Sequence, residues 1–118
     1  MIPRLVVVAL LTALPAAPAY ADARGDARQQ VEFGIAVAQK GLWREAIFRW
    51  QRATELDPTY AQAFNNLAIA YEHEGDLTKA REAYEKALRL EPNNPLIKQN
   101  YELFREINDR KGADRERP

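Results

Sequence analysis

Cysteine is absent from the 118 residues, and His73 is the only histidine. The first absence excludes disulfides, thiolate metal sites and the acylated cysteine of a lipoprotein, and it leaves the redox compartment open. The second leaves no imidazole pair and no His-Glu-x-x-His arrangement for a metal or a catalytic base. Only five glycines occur, none in a loop that could cradle phosphate after a strand, so no cofactor is expected. Net charge is also missing. Seventeen Lys and Arg balance seventeen Asp and Glu. A nucleic-acid binder would need a basic face, and broad electrostatic steering of a charged partner is excluded with it.

Long apolar runs are missing too. The longest is Leu5–Leu14, LVVVALLTAL, about half the ~20 residues that a spanning helix needs. It follows Arg4 and precedes PAAPAYA, whose Ala19-Tyr20-Ala21 fits a small-x-small cleavage site. Residues 1–21 therefore read as a secretory signal peptide cut after Ala21, with a retained anchor as the weaker alternative. Arg4 is the only charge in that stretch, so its removal moves the formal net charge from 0 to −1. The mature chain is expected outside the cytoplasm, in a bacterial periplasm or secreted, without stable membrane insertion.

What is present is helical and periodic. In residues 61–94, Phe64, Leu67, Ala68 and Tyr71 recur at i, i+3, i+4 and i+7, and Ala80, Tyr84 and Ala87 mark a second amphipathic stripe. The alanines let two backbones approach, and the aromatics fill the space between. Asp57-Pro58 reads as an N-cap and first-turn proline, Gly75 as the left-handed residue between the helices, and Leu90-Glu91-Pro92 as the stop. Shifted back by one helix pair, the pattern repeats without a gap. Phe33, Gly34, Ala46, Trp50, Ala53 and Pro58 stand 34 before Leu67, Ala68, Ala80, Tyr84, Ala87 and Pro92, and Gly41 stands 34 before Gly75. That period marks a stacked helix-turn-helix solenoid.

These residues resemble the tetratricopeptide repeat (TPR). Residues 61–94 match its aromatic, Leu-Gly/Ala, Tyr, Ala, aromatic, Ala, Pro pattern throughout. Residues 27–60 depart at Gln30 and Val37, as suits a terminal unit facing water. The expected architecture is all-α: signal peptide 1–21, polar lead 22–26, repeats 27–60 and 61–94, a capping helix 95–110, and a disordered charged tail 111–118. Helices are expected over about 27–40, 43–56, 59–74, 77–90 and 95–110. The last would bury Ile97, Tyr101 and Phe104, while Lys98, Glu102 and Arg105 replace the apolar positions of a full repeat. Two repeats and a cap fall short of the about three units such arrays usually need, which leaves room for a partner or for self-association.

Little here can do chemistry. His73 lies in the last turn of its helix, where a cation suits the dipole, and no second suited group converges on it. Function is then expected on a surface. The resemblance implies a concave groove lined by the first helix of each repeat and receiving a peptide segment. Some family members clamp a carboxylate there with cations and asparagines. By register those places are Val31, Ile35, Asn66, Leu96 and Asn100, of which only Asn66 agrees, so a carboxylate clamp is not expected. Instead Ile35, Ile69 and Leu103 form an apolar row one repeat apart, extended by Leu96 and Ile107. An exposed row of this kind marks an interaction site unless one member tucks beneath a neighbouring repeat. The candidate groove is Val31, Ile35, Asn65, Asn66, Ile69, Glu72, Gln99 and Leu103. The leading reading is a non-enzymatic periplasmic adaptor binding a protein or peptide partner. The alternative is a self-associating module of an envelope assembly, a homo-oligomer.

Overall fold

The computed structural model describes residues 19–118. The expected leader lies outside the described residues except where positions 19–21 open the first helix. Five helices follow in order: α1 (Ala19–Gln39), α2 (Trp43–Leu56), α3 (Ala61–His73), α4 (Leu77–Leu90) and α5 (Pro95–Arg115), with no strand among the described residues. α1 packs on α2 and α3 on α4, while α2 hands on to α3 and α4 to α5. The architecture is an all-α solenoid of two hairpins and a final helix.

The two hairpins turn in the same way. Gly41 and Gly75, one repeat apart, both sit at φ 77°. Leu42 N–H donates to the Val37 carbonyl (3.0 Å) and Gly41 N–H to Ala38 (2.8 Å). The equivalents are Asp76 to Tyr71 (2.9 Å) and Gly75 to Glu72 (3.0 Å). These paired bonds satisfy the last carbonyls of α1 and α3 and need a left-handed residue at the glycine. Asp76 then caps α4 by accepting from Lys79 N–H, and Asn94 caps α5 by accepting from Leu96 and Ile97 N–H, with Pro95 in the first turn.

Asp57 does not cap α3, contrary to expectation. The helix starts at Ala61 after Tyr60, and no side chain caps it. Asp57 instead accepts from Thr59 N–H (3.0 Å) and Thr59 Oγ1 (2.6 Å), and it takes an ion pair from Arg24. The same pairing corrects the polar lead. Residues 22–26 are helical, because Arg24 ties them down: it also donates to Thr59 Oγ1 (3.2 Å) and lies 4.7 Å above the Tyr60 ring. The tail is corrected as well. α5 runs on to Arg115, with an Arg110–Glu106 i,i+4 pair at 2.6 Å and no proline before Pro118 to stop it. These last turns are exposed and owe their helicity to local propensity rather than packing.

The core alternates small and large. Ala46, Ala53, Ala80 and Ala87 are fully buried, and Trp50, Tyr84 and Phe104 fill the volumes between helices. Trp50 lies across Gly34 and donates its indole N–H to the Val31 carbonyl at 3.0 Å. A Cβ on Gly34 would come within 2.3 Å of Nε1, so this crossing requires glycine. Phe33 departs from its register. Leu67, its counterpart, is buried, whereas Phe33 is 48% exposed, because among the described residues no helix precedes α1 to cover it.

Candidate partner-binding groove

The first helices of the units, α1, α3 and α5, carry equivalent positions once per repeat, and the fold sorts these into buried and open. Val31 is 2% exposed and belongs to the core, not to the groove. Asn65, at the same register one repeat on, is 4% exposed and accepts from Asn100 Nδ2 at 3.2 Å. Both corrections share a cause. This position faces the next first helix in the stack, which covers it. Asn100 reaches back from α5 to Asn65, and by register Asn66 reaches back from α3 toward Val31.

That equivalence accounts for an odd feature of Asn66. Its Nδ2 is buried and has no hydrogen-bond partner. At the position where Asn65 offers Asn100 an oxygen, the preceding repeat has Val31, whose side chain has only methyl groups. Asn66 is among the residues lining a cleft of about 590 Å³ at the start of α3 and α5, together with Arg24, Tyr60, Gln62 and Leu96, and its unpaired Nδ2 lies just beneath that surface. A buried donor without an acceptor costs roughly 1–3 kcal/mol until something supplies one. The cleft offers a polar floor and an exposed apolar rim at Leu96.

The apolar row is uneven. Leu103 is 55% exposed, Ile107 44% and Ile35 36%, whereas Ile69 is half-buried and packs on the core. Ile69 is therefore partly a packing residue, and the exposed row expected of Ile35, Ile69 and Leu103 is interrupted at its centre. Gln99 is exposed. Glu72, expected at the polar rim, accepts a hydrogen bond from the Tyr84 hydroxyl at 2.7 Å and helps fix the α3–α4 hairpin. Burial pushes the Tyr84 phenol far above its usual range, and Glu72 adds to the shift. Burial and Glu85 likewise raise the Tyr101 phenol against the opposing Arg81. Both hydroxyls are therefore fixed hydrogen-bond donors, unsuited to act as bases at neutral pH.

His73 is accounted for by packing. Its ring stacks on Trp43 at a centroid separation of 3.8 Å and an interplanar angle of 10°, and joins the end of α3 to the start of α2. Arg44 and Glu74 continue that seam at 3.6 Å. Among the described residues no group of three His, Cys, Asp or Glu is placed to hold a metal ion. No described helix is long and apolar enough to cross a membrane. The residue that sequence reasoning missed is Arg24. Nothing in its neighbourhood signals a partner in the next turn but one; only the fold brings it to Asp57.

A family model described as tetratricopeptide repeat matches residues 31–95. The chain belongs to that family. This TPR chain is 32% identical over 65 residues to the chloroplastic tetratricopeptide repeat domain-containing protein PYG7 of Arabidopsis thaliana, covering 55% of the chain and 22% of the relative. It is 32% identical over 82 residues to the type IV pilus assembly protein PilF of Pseudomonas aeruginosa, covering 69% of the chain and 32% of the relative. The photosystem I assembly protein Ycf3 of Rippkaea orientalis is 29% identical over 82 residues, covering 58% of the chain and 47% of that protein. The TPR chain thus spans between about a fifth and a half of the length of these relatives.

Proposed function

We propose that this TPR protein is a non-enzymatic adaptor that takes a segment of a partner protein into the groove formed by α1, α3 and α5. The observation that carries the reading is the unpaired, buried Asn66 amide just beneath a cleft rimmed by Leu96 and continued by exposed Leu103 and Ile35. A peptide laid there offers a main-chain carbonyl to Asn66 and apolar side chains to the row, and binding energy concentrates where an apolar anchor is ringed by polar groups. Two relatives whose names describe assembly, of type IV pili and of photosystem I, support a role in bringing proteins together.

The test is a peptide panning experiment on immobilised protein, followed by fluorescence anisotropy of the selected peptides. Leu103→Asp and Asn66→Ala are each expected to weaken binding by at least about tenfold, the equivalent of about 1.4 kcal/mol. Both should keep the circular dichroism of the parent. Selected peptides that bind both variants as tightly as the parent would place the functional surface elsewhere. Location is part of the proposal: the Arg4 to Ala21 pattern supports export to the periplasm or beyond. N-terminal sequencing of the mature protein should begin at Asp22, and an intact Met1 in membrane pellets would refute it.

A further inference from the structure

In the stack, each first helix is covered on one face by the second helix of the preceding unit. On α3 that face carries Ala63, Leu67 and Ala70, and on α5 it carries Ile97 and Phe104, all buried. The equivalent positions of α1 are Gln29, Phe33 and Ala36, all exposed, with Phe33 only half covered by the Arg49 guanidinium lying 4.2 Å above its ring. α1 thus keeps a large aromatic and a small residue at stacking positions with nothing upon them among the described residues.

Charge indicates what fits there. Glu74 ends this face on α3 and pairs with Arg44 of the covering helix. The corresponding residue of α1 is Lys40, of opposite sign. A covering helix of the α2 type, with arginine at that place, would meet like charge, so α1 is not built to continue the array with another such helix. Lys40 is instead complementary to α1 itself. Glu32 and Lys40 lie symmetrically either side of Ala36, both are exposed, and neither forms an ion pair among the described residues. In an antiparallel pair with its two-fold axis at Ala36, residue 36+k faces residue 36−k of the second copy. Lys40 then faces Glu32 of the second copy, twice over. The two Ala36 methyls allow close approach, and the two Phe33 rings lie on one side of the interface, flanking that contact.

We infer that the protein forms a two-fold dimer through the outer face of α1, centred on Ala36. The interface is isologous, and its pattern of charge is self-complementary only in the antiparallel sense. It leaves the groove residues Asn66 and Leu103 free, so it stands or falls independently of peptide binding.

The test is sedimentation equilibrium of the purified protein at several concentrations and at low salt. A dimer is expected for the parent. Ala36→Arg, on an exposed position, should yield a monomer with unchanged circular dichroism. Glu32→Lys should weaken dimerisation by at least about tenfold by placing two lysines face to face at both ends. The double change Glu32→Lys with Lys40→Glu should restore it, which a merely structural effect of either residue would not do. A parent that stays monomeric throughout, or a dimer that survives Ala36→Arg, overturns the inference. So does a dimer abolished by Leu103→Asp and untouched at Glu32, which would put the contact in the groove.

Discussion

Adding one methyl group at Gly34 tests the register and the core together. An ideal Cβ there lies 2.3 Å from Trp50 Nε1, 2.7 Å from Cδ1 and 2.8 Å from Cε2. The indole must therefore retreat substantially to reach ordinary contact, yet it is 3% exposed and hemmed in. Three effects oppose one another in Gly34→Ala. Helix propensity favours alanine by about 1 kcal/mol. Overpacking costs about 1–3 kcal/mol. Displacing the indole also strains or breaks its hydrogen bond to Val31, costing about 1 kcal/mol more. The net expectation is a loss of about 2 kcal/mol, or a fall in Tm of about 8–16 °C for a domain of this size. Thermal melts followed by circular dichroism supply the assay. Gly112→Ala, whose Cβ would meet nothing within 4 Å, should leave Tm unchanged or raise it slightly. Repeat 2 already holds the compensated pair, Ala68 beside Tyr84. Gly34→Ala with Trp50→Tyr should therefore recover about 1 kcal/mol relative to the sum of the single changes. Recovery stays partial, because Ala38 stands where Glu72 would receive the new hydroxyl. A Gly34→Ala variant as stable as the parent would refute the reasoning.

In the second unit, Ala80→Leu should destabilise by about 1–3 kcal/mol because Ala80 is fully buried, and Ala113→Leu on the exposed end of α5 should change Tm negligibly. Val31→Asn should give Asn66 the acceptor that Asn65 gives Asn100, and a nitrogen-15 spectrum would show the Asn66 side-chain amide shifted downfield; an unmoved resonance would contradict the register. Partial burial pushes the Asp57 carboxyl up, but hydrogen bonds from Thr59 and Arg24 and the Arg24 charge outweigh it, so the net is below the ordinary 3.8. With the folded value depressed, Asp57 contributes stability above pH 3.8 that is lost as pH falls through the folded value. The stability difference between the parent and Arg24→Ala should accordingly shrink below about pH 4 and stay constant from about pH 5 to 7; a constant gap down to about pH 2 would argue against the pairing.

The hairpins were legible because their signals are local. Glycines one repeat apart and alanine–aromatic alternation each follow from a few neighbouring residues, and both reappear in the fold. The exceptions are long-range. Asp57 looks like a cap until Arg24 arrives from another helix, and residues 22–26 look like a lead until the same contact orders them. In the groove, periodicity assigned positions but could not tell an open face from one covered by the next first helix. Val31 and Asn65 were placed on the wrong side of that line, and Ile69 astride it. Leu103 and Ile35 are exposed, whereas Ile69, at the same register between them, is partly covered.

The Arg24–Asp57 pairing gives the two ends of the array different histories in time. A linear stack ordinarily frays from both ends, since each unit touches only its neighbours. Here the ion pair closes a loop around the whole of the first hairpin, from the start of α1 to the turn before α3. α1 cannot detach without also freeing that turn, so its amides are expected to exchange more slowly than those at the end of α5. Beyond the Arg81–Asp109 pair at 3.6 Å, no such clasp holds the last turns of α5 among the described residues. Fraying is therefore expected to start at the carboxyl end, away from the clasp.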